Sequence, residues 1–470
     1  MDGQDVPECP GCRRRDEIIA DLLRRVAALE ARLNTNSSNS SIPPSANPPT
    51  ASAPVVKKKT GRKPGAQPGH PPHLKQLLPP ERVHKVFVFV PERCRCCAAS
   101  LPREAGPNDA APSRHQVAEL PELTAIITEY QGHSRTCSCC GQVTKATIPA
   151  ELRAHSCEPR LAATLAYLAG CHHVGKRGLE EICEDVFGVP IALGTISTME
   201  EQMCEALAPA HQQALEAVRQ APVKHVDETG WKQAGQRRWL WVAATQTVAA
   251  FVIHARRNLA ALTVLLGGAI RGVLVSDRWS TYNRLSNDRR QICWAHLKRD
   301  FQKCLDRGDA GSDIGREGLK IVRRVFKTWH TFRGGGFADE SGPFSREALL
   351  RRFLPIIRDF DRLVERGRGC ASTAVATFCT NLADLQEAPW TFVIEDNVEP
   401  TNNHAERVLR KGVLWRKNAF GCASERGCRF VARLLTVVQT LRLQRRPVLT
   451  FLYQTILNHR VQQPYPALIG

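Results

Sequence analysis

The sequence predicts a multidomain α+β protein, and three observations lead to that class. Residues 155–220 carry apolar side chains at helical spacing. Four short apolar segments with the length of strands lie between residues 221 and 277, and the chain beyond residue 291 is again mostly helical in pattern. A chain of 470 residues is expected to form roughly two to four domains, and 43% hydrophobic residues suffice for their cores.

The net charge of +19 indicates a polyanionic partner, because 65 Lys and Arg residues outweigh 46 Asp and Glu residues. Basic composition alone also fits an anionic membrane surface or an ordinary solvated surface. No apolar run reaches the roughly 18–20 residues that cross a bilayer, and no signal-peptide pattern is present, so a cytoplasmic protein without a membrane partner is expected. The 18 cysteines would be reduced there, and close pairs then indicate metal ligands.

Residues 1–33 are predicted to form a helix with the seam of a short coiled coil. The seam positions alternate in spacings of three and four: Ile19, Leu22, Val26, Leu29 and Leu33. Two heptads are too few to be stable alone, so this helix needs a second chain or a docking surface. An amphipathic helix that lies on its own protein accounts for the pattern equally well.

Residues 34–80 are predicted to be a linker or arm, because a sequence rich in Asn, Ser, Pro, Gly and Lys cannot bury a core. Its basic cluster could lie along a DNA backbone, where each neutralised phosphate releases counterions. The cluster consists of Lys57, Lys58, Lys59, Arg62 and Lys63. A merely solvated linker is the alternative.

Residues 81–150 are predicted to form a zinc-ribbon-like module, in which short strands at 83–90 and 123–133 alternate with two cysteine knuckles. Four thiolates at such spacing can close a tetrahedral zinc site in a module too small to fold well without it. The expected zinc ligands are Cys94, Cys97, Cys137 and Cys140. Four thiolates leave no open position, so the zinc would be structural and would stiffen a DNA-reading surface.

The choice of zinc ligands is ambiguous, because Cys96 and Cys139 lie inside the two knuckles. Reduced, buried cysteines without metal are the alternative for the whole set. Gly141 suits a tight backbone turn after the second knuckle. A further pair, Cys9 and Cys12, stands alone before the coiled coil and could bind zinc only with ligands from another chain.

Residues 151–220 are predicted to be helical and to contain a segment that resembles a helix-turn-helix. Residues 179–203 have the pattern of one helix, a tight turn at 188–190 and a second helix that opens near 194–197. The second helix could enter a DNA major groove. An ordinary helical hairpin is the alternative.

Residues 221–300 are predicted to hold four strands, with a helical segment at 258–267 before the fourth. Residues 301–395 are expected to form a helical insertion. Residues 396–470 are expected to contain a helix pair over about 402–443 and a last helix near the C-terminus.

Two acidic residues directly follow apolar strands. Asp227 is predicted to end the strand KHVD, and Asp277 to end GVLVSD, so both would project where the carboxyl ends of strands meet. A third acid, Glu406, lies in a helix expected to start just after Pro400, with Asn402 or the residue before it as the cap. If the two strands are neighbours, the three carboxylates face one point.

Three converging carboxylates suit a pair of divalent cations. Cleavage of a phosphodiester by an activated water uses two cations about 4 Å apart, one beside the attacking oxygen and one beside the leaving oxygen. Mg²⁺ or Mn²⁺ keeps several waters and takes few carboxylates, so three acids suffice for two ions per active site. Each acid taken singly is more often a surface carboxylate. Their order along the chain and their basic surroundings favour catalysis.

Basic residues on the third acid's helix could neutralise DNA phosphates beside the metals. These residues are Arg407, Arg410, Arg416 and Lys417. An exposed ion pair between Glu406 and Arg410 is the alternative role for that acid. Rival acids are Asp300, Glu395, Asp396 and Glu399, while Glu228, beside Asp227, is expected on the opposite face of its strand.

A set of specific motifs lies along nearly the full chain in a defined order. After the coiled coil come NTNSSNSSIPPS, GRKPGAQPGH, the doubled C-x-x-C module around QVAELPE, HVDETGW, VSDRWSTY, CWAHLKRDF, and NNHAERVLR with RKN behind it. With this set in this order, the chain resembles a DDE transposase of the insertion-sequence sixty-six family, the large catalytic subunit of a bacterial insertion element.

The resemblance implies an RNase H-like α/β catalytic core that is interrupted by the helical insertion, with Asp227, Asp277 and Glu406 as its metal-binding triad. It further implies binding to double-stranded DNA, both element ends and target, by a nucleoid-associated homo-oligomer that uses small accessory proteins of the same element. Cys293 and His296 match a Cys-x-x-His signature that follows the second acid in several transposase superfamilies. A role in supporting the site and a buried start of the insertion are equally good interpretations. Further supporting residues are Asn402 and Asn403.

Two other classes of protein are alternatives. A zinc-containing DNA-binding regulator with a catalytically dead nuclease-like core would not need the acids, and the intact triad argues against it. A recombinase that acts through a covalent serine or tyrosine is disfavoured, because none of the five tyrosines lies in a suitable basic motif. Substitution of Asp227 separates the three classes, since only the transposase loses strand transfer while it still binds DNA ends.

Overall fold

A computed structural model describes residues 10–33, 77–107, 109–334 and 345–470. The basic cluster at 57–63 and Cys9 lie outside these residues, as does the side chain of Cys12. Helix α1 (Pro10–Leu33) covers the predicted coiled-coil seam. The apolar stripe along α1 is exposed, by 46–55% at Ile19, Leu22, Val26 and Leu29. Pairing of this stripe with another helix stays a prediction.

The chain divides into two compact units, of which the smaller is Pro54–Ile126. The first cysteine knuckle is a tight turn, in which the Cys94 N–H donates to the Ala99 carbonyl at 2.9 Å. The predicted strand at 83–90 was wrong, since this segment is extended but belongs to no ladder within the described residues. A strand requires a neighbour that pairs with its backbone N–H and C=O groups. Without one, the apolar side chains stay exposed, by 92% at Phe89.

The second cysteine knuckle lies in the larger unit, between the antiparallel strands β1 (Ser134–Thr136) and β2 (Val143–Lys145). Gly141 has φ +71°, which confirms the predicted tight turn. The predicted strand at 123–133 was wrong, because ladder pairing begins only at the residue after it. The hairpin is therefore much shorter than the apolar pattern indicates.

Five helices follow the hairpin, as the helical periodicity of this region predicts. They are α2 (Ala150–Arg153), α3 (Pro159–His172), α4 (Lys176–Asp185), α5 (Leu193–Ala206) and α6 (Ala208–Gln220). The turn between α4 and α5 contains Gly188 at φ +65°. The exposed positions of α5 include Thr198 and Glu205, and Glu200 on the same helix pairs with Lys176 at 2.7 Å. Helix α5 contains no lysine or arginine that could contact a phosphate, and DNA binding by α5 stays a prediction.

Within the described residues of the larger unit, five strands form a mixed sheet. They are β3 (Val223–Gln233), β4 (Gln236–Ala244), β5 (Ala249–His254), β6 (Val273–Ser276) and β7 (Arg290–Ile292), in the order β5-β4-β3-β6-β7. The first three are antiparallel, and the β3–β6 and β6–β7 pairs are parallel. Helix α7 (Leu259–Leu266) precedes β6 as predicted. This mixed sheet among helices confirms the α+β class.

A second group of helices follows β7. These are α8 (Trp294–Asp306), α9 (Ser312–Arg333), α10 (Arg346–Arg368), α11 (Thr373–Ala383) and α12 (Thr391–Ile394). Their core contains large aromatic side chains, and it is continuous with buried residues of β6 and β7. The helical pattern predicted beyond residue 291 is thereby confirmed.

The last helices are α13 (Asn403–Ala419), α14 (Glu425–Leu443) and α15 (Val448–Arg460), which lie where the sequence predicts them. Helix α14 covers the edge strand β5. Its buried Thr436 and Thr440 hydroxyls accept hydrogen bonds from the Phe251 and Ala249 N–H groups at 2.9 and 3.0 Å. These bonds satisfy an edge that would otherwise be unpaired. None of the helices in the described part of the chain has the length and apolarity that crossing a bilayer requires.

Gly412 allows α13 to lie close against β4, and Gly412→Ala is expected to destabilise the protein. A methyl group there would overlap the Leu240 side chain, which is fully buried. We expect a loss of about 1–3 kcal/mol in the free energy of unfolding, because overpacking outweighs the gain in helix propensity. Thermal unfolding measures the loss. The matched control is Gly427→Ala, whose added methyl would meet its nearest atom at 3.5 Å and should not lower the melting temperature.

Candidate active site

The register of a parallel strand pair brings two aspartates level. Paired residues of β3 and β6 differ by 50 in number, so the register continued two residues beyond the last pair places Asp277 beside Asp227. Asp277 directly follows β6, as predicted. Asp227 does not end its strand, and that prediction was wrong, because β3 continues to Gln233. The physical reason is β4, which pairs with β3 on both sides of Asp227.

The third acid enters from the start of α13. Asn402 is the N-cap of this helix, in agreement with the predicted start, and Glu406 lies in the first turn. Burial, together with the negative charges of Glu228, Glu406 and Asp277, holds the pKa of the Asp227 carboxyl well above its usual range. The charges of the other two acids thus both act on Asp227. Asp277 and Glu406 therefore both lie near enough to Asp227 for their charges to act on it, and metal binding by the three acids stays a prediction.

Asn402 ties the segments of this site to one another. Its Nδ2 donates to the Val226 carbonyl at 2.7 Å. Its Oδ1 lies 3.3 Å from Nδ1 of His225, the residue before Val226. Its backbone N–H donates to Cys293 Sγ at 3.1 Å. The residue is 1% exposed. Because Val226 precedes Asp227, these bonds hold the start of the helix that carries Glu406 against the strand that carries Asp227.

Cys293 and His296 lie beside Glu406. His296 Nδ1 is 3.7 Å from Glu406 Oε1. Arg299 Nη2 lies 3.9 Å from the same oxygen, so within the described residues Glu406 faces these two side chains and not Arg410. Burial raises the pKa of the Cys293 thiol to about 11. Burial and the charge of Arg299 lower the pKa of His296 to about 4, so its ring is neutral at pH 7.

Sequence reasoning missed the side chains that surround Asp277. The Glu228 carboxylate is 2% exposed and accepts hydrogen bonds from Arg257 Nε at 2.7 Å and from the Tyr282 hydroxyl at 2.9 Å. Arg257 also lies 3.8 Å from Asp277 Oδ2, and its guanidinium stacks on the Trp279 ring at 4.2 Å. Tyr282 lies in the VSDRWSTY motif, which was a usable signal. Nothing in the sequence distinguishes Arg257 from other arginines.

The rival acids have other partners. Asp300 accepts two hydrogen bonds from Arg278, at 3.0 and 2.8 Å. Asp396 and Glu399 pair with arginines at 2.9 and 3.5 Å. Glu395 is exposed just after α12. None of these four acids is among the charges that raise the pKa of Asp227, whereas Glu406 is one of them.

The basic residues predicted to contact DNA divide into two groups. Arg407, Arg410 and Lys417 are exposed on α13. Arg416 instead donates to Thr229 Oγ1 at 3.0 Å and to the next carbonyl along β3, so it fastens α13 to the sheet. Phosphate contact by the three exposed residues stays a prediction.

The leading cysteine of each knuckle has a thiol of lowered pKa. Backbone N–H groups within the knuckle hold the pKa of Cys94 and of Cys137 below the ordinary value. The thiolate is the form that binds metal. Zinc binding by these two residues with Cys97 and Cys140 stays a prediction.

The acidic cluster has the donor chemistry of a hard divalent cation. Asp227, Asp277 and Glu406 offer only oxygen atoms, and carboxylates and waters are the ligands that Mg²⁺ and Mn²⁺ prefer. Besides burial, the negative charges of its neighbours raise the pKa of Asp227. A bound dication would relieve that repulsion. The residues present therefore fit the ions that the sequence predicts.

Comparisons with known proteins identify a family for this chain. A family model described as "Transposase IS66 family" matches residues 155–429, which include all three acids, and a family of unknown function matches residues 16–76. The uncharacterized protein y4hP of Sinorhizobium fredii is 23% identical over 409 residues, which cover 76% of this chain and 69% of the relative. The uncharacterized protein y4qI of the same organism is 26% identical over 208 residues, which cover 42% of this chain and 37% of the relative.

Proposed function

This chain belongs to the IS66 transposase family, and on that premise we propose that it is a DDE transposase that cuts the DNA ends of its element and joins them to target DNA. The observation that carries the proposal is the level placement of Asp227 and Asp277 by a parallel strand pair, with Glu406 near enough for its charge to raise the pKa of Asp227. The sheet supports an RNase H-like core, in which three antiparallel strands are extended by two parallel ones in this order.

The three carboxylates would hold two Mg²⁺ or Mn²⁺ ions, which supply charge stabilisation for the attacking and leaving oxygens of a phosphodiester. Asn402 keeps the start of α13 against β3, so the separation of the acids is fixed before DNA binds. Arg257 bridges Glu228 and Asp277 and restricts the second aspartate. The exposed arginines and lysine of α13 would neutralise phosphates of the bound DNA.

The reaction class that fits these groups is hydrolysis followed by transesterification. Water cleaves the 3′ end of the element, and the freed 3′ hydroxyl then attacks a phosphodiester of target DNA. In the first step water displaces a 3′ oxygen and leaves a 3′ hydroxyl and a 5′ phosphate. In the second step the 3′ hydroxyl displaces a 3′ oxygen of the target strand, which leaves as a 3′ hydroxyl. Neither step forms a covalent protein intermediate. No nucleoside triphosphate is consumed, because the second step conserves the number of phosphodiester bonds.

The remaining segments have proposed roles in DNA and protein binding. The basic arm, the zinc module and helices α2–α6 would bind the terminal inverted repeats of the element. The exposed apolar stripe of α1 would pair two protomers, so that both ends are held in one homo-oligomer. Small accessory proteins of the same element are further proposed partners.

The proposal is tested with the purified protein and a labelled duplex that carries the inverted repeats flanking its gene. We expect cleavage that leaves a 3′ hydroxyl at the repeat end, lost in EDTA and restored by Mg²⁺ or Mn²⁺. Cleavage that persists in EDTA, or a protein–DNA adduct that survives denaturation, would contradict the proposal. A chain that binds the repeats without cutting them in any divalent metal, even with the accessory proteins of the element added, would be the DNA-binding regulator instead.

Asn402→Ala tests how far the positioning of α13 matters. We expect cleavage to fall by about 10–100-fold, because the Val226 carbonyl loses its partner and the helix start is no longer fixed on β3. The free energy of unfolding should fall by about 1–3 kcal/mol. The matched control is Asn403→Ala, since the next side chain is exposed. Equal cleavage by the two variants would show that this hydrogen bond does not position the acids.

A further inference from the structure

Three side chains at the edge of the acidic cluster offer metal donors of three different kinds. The donor atoms of Cys293, His296 and Glu406 lie within 4.8 Å of one another, and no other set of three such residues converges in this way in the part of the chain that the structure describes. The triad uses only one of the three. The thiol of Cys293 and the ring of His296 have no place in the chemistry of a magnesium pair, which takes oxygen ligands.

The spacing of these atoms is close to that of one coordination sphere. His296 Nδ1 lies 3.7 Å from Glu406 Oε1. For bonds of about 2.0–2.3 Å, neighbouring donors on a tetrahedral ion are separated by about 3.3–3.8 Å. Side-chain movements of less than an ångström would therefore suffice to close three ligands on one ion. The fourth position would remain open to water.

His296 offers a buried nitrogen atom, Nδ1, that no described residue pairs with by a hydrogen bond. Buried polar atoms in native proteins are almost always paired, so a lone one beside two other donors points to a partner that binds there. Cys293 Sγ accepts the Asn402 N–H at 3.1 Å, as ligating thiolates commonly do. Arg299 opposes cation binding at 3.9 Å from Glu406, but its side chain is 25% exposed.

We propose that Cys293, His296 and Glu406 form a site for a borderline-soft divalent transition metal such as Zn²⁺, and that its occupancy withdraws Glu406 from the magnesium pair. Thiolate and imidazole donors select zinc over magnesium. A third dication on the same carboxylate would repel the two others, so the two occupancies compete. Binding of zinc stands by itself, whereas the competition rests on the proposed transposase function. Zinc bound by these three residues would then inhibit the magnesium-dependent cleavage of DNA.

Binding is tested with Co²⁺ as a coloured substitute for zinc, titrated into the metal-free full-length protein. We expect wild type to bind one equivalent more than Cys293→Ser, with an additional thiolate-to-cobalt charge-transfer band in the difference spectrum. The knuckle cysteines contribute equally to both proteins and cancel. His296→Gln should lose the same band. Asp227→Asn, which removes a triad acid and none of the three donors, should keep the additional charge-transfer band.

Three outcomes decide the binding. Loss of one equivalent in both Cys293→Ser and His296→Gln, with the knuckle band and the circular dichroism unchanged, supports the site. Equal stoichiometry in wild type and both variants overturns it, whatever the activity. Loss of the additional band in Asp227→Asn as well also overturns it, because the ion would then belong to the triad.

The competition has its own measurement, the ratio of DNA cleavage with and without Zn²⁺ at constant Mg²⁺. We expect half-inhibition of His296→Gln to need at least ten times more Zn²⁺ than wild type needs. Equal inhibition of the two proteins refutes the competition. A failure of the proposed transposase function would look different, since cleavage would then be absent or insensitive to Asp227→Asn while the cobalt titration remained as described.

Discussion

Replacing Asp227 by Asn abolishes DNA cleavage and at the same time makes the metal-free protein more stable. Cleavage should fall by about 10³-fold or more, because an amide cannot replace a carboxylate that holds the cations. Stability should rise, because burial and three neighbouring acids hold the pKa of this carboxyl well above its usual range. Cleavage of labelled end DNA and thermal unfolding in EDTA measure the two effects. Binding to the ends should be unchanged.

The dependence of this stability gain on pH follows from the direction of the pKa change. A raised pKa in the folded state means that the folded protein binds this proton more tightly than the unfolded chain does. Wild type therefore loses stability as the pH rises above the ordinary carboxyl range towards the folded pKa. The difference in melting temperature between Asp227→Asn and wild type should grow as the pH rises above the ordinary carboxyl range, and it should vanish at low pH, where both states are protonated.

Two controls separate the site from its surroundings. Mg²⁺ should reverse the order of stability, since only wild type holds the ions with its full set of ligands. Asp300→Asn changes an acid that is committed to Arg278, and it should leave cleavage nearly unchanged. If Asp227→Asn were inactive but less stable than wild type at pH 8 in EDTA, the loss of activity would reflect damaged folding and not a missing ligand.

Much of the fold could be predicted, because the strongest signals are local. The helices after residue 400 and strands β3 to β6 follow from periodicity, and both depend on residues within one element. Strand β7 was missed because two of its three residues are Arg290 and Gln291, which are buried through parallel pairing with β6. At residues 83–90 the error is the opposite, since a strand was predicted and none forms. The segment has the apolar pattern of a strand, but pairing depends on a distant neighbour.

The acids could be predicted for a similar reason. An acidic residue after an apolar strand is visible in the sequence, and a helix cap near Asn402 is visible too. The contacts around them are not, since Glu228 meets Arg257 across 29 residues and Tyr282 across 54. The role of Asn402 spans 176 residues to Val226. Such contacts depend on the sheet order, which no single segment contains.

Replacing Glu406 by Gln should reduce cleavage by about 10²–10³-fold or more while the fold is retained. The side chain is 39% exposed, so its loss leaves no cavity, and the first turn of α13 loses only a favourable charge, which contributes about 0.3–1 kcal/mol. Metal-dependent cleavage and thermal unfolding measure the two effects. The ion pairs of Glu406 with His296 and Arg299 are long, at 3.7 and 3.9 Å, so their loss costs little stability.

The matched control is Glu399→Gln, seven residues earlier in the same region of the sequence. Glu399 pairs with Arg333 at 3.5 Å, and its side chain is 33% exposed, close to that of Glu406. The two substitutions therefore remove the same charge from similarly exposed positions. They differ in that the charge of Glu406 acts on Asp227 and that of Glu399 does not. Retained cleavage in Glu399→Gln with loss in Glu406→Gln identifies the third acid. The reverse result would mean that DNA binding moves α13 away and brings the chain before it to the metals.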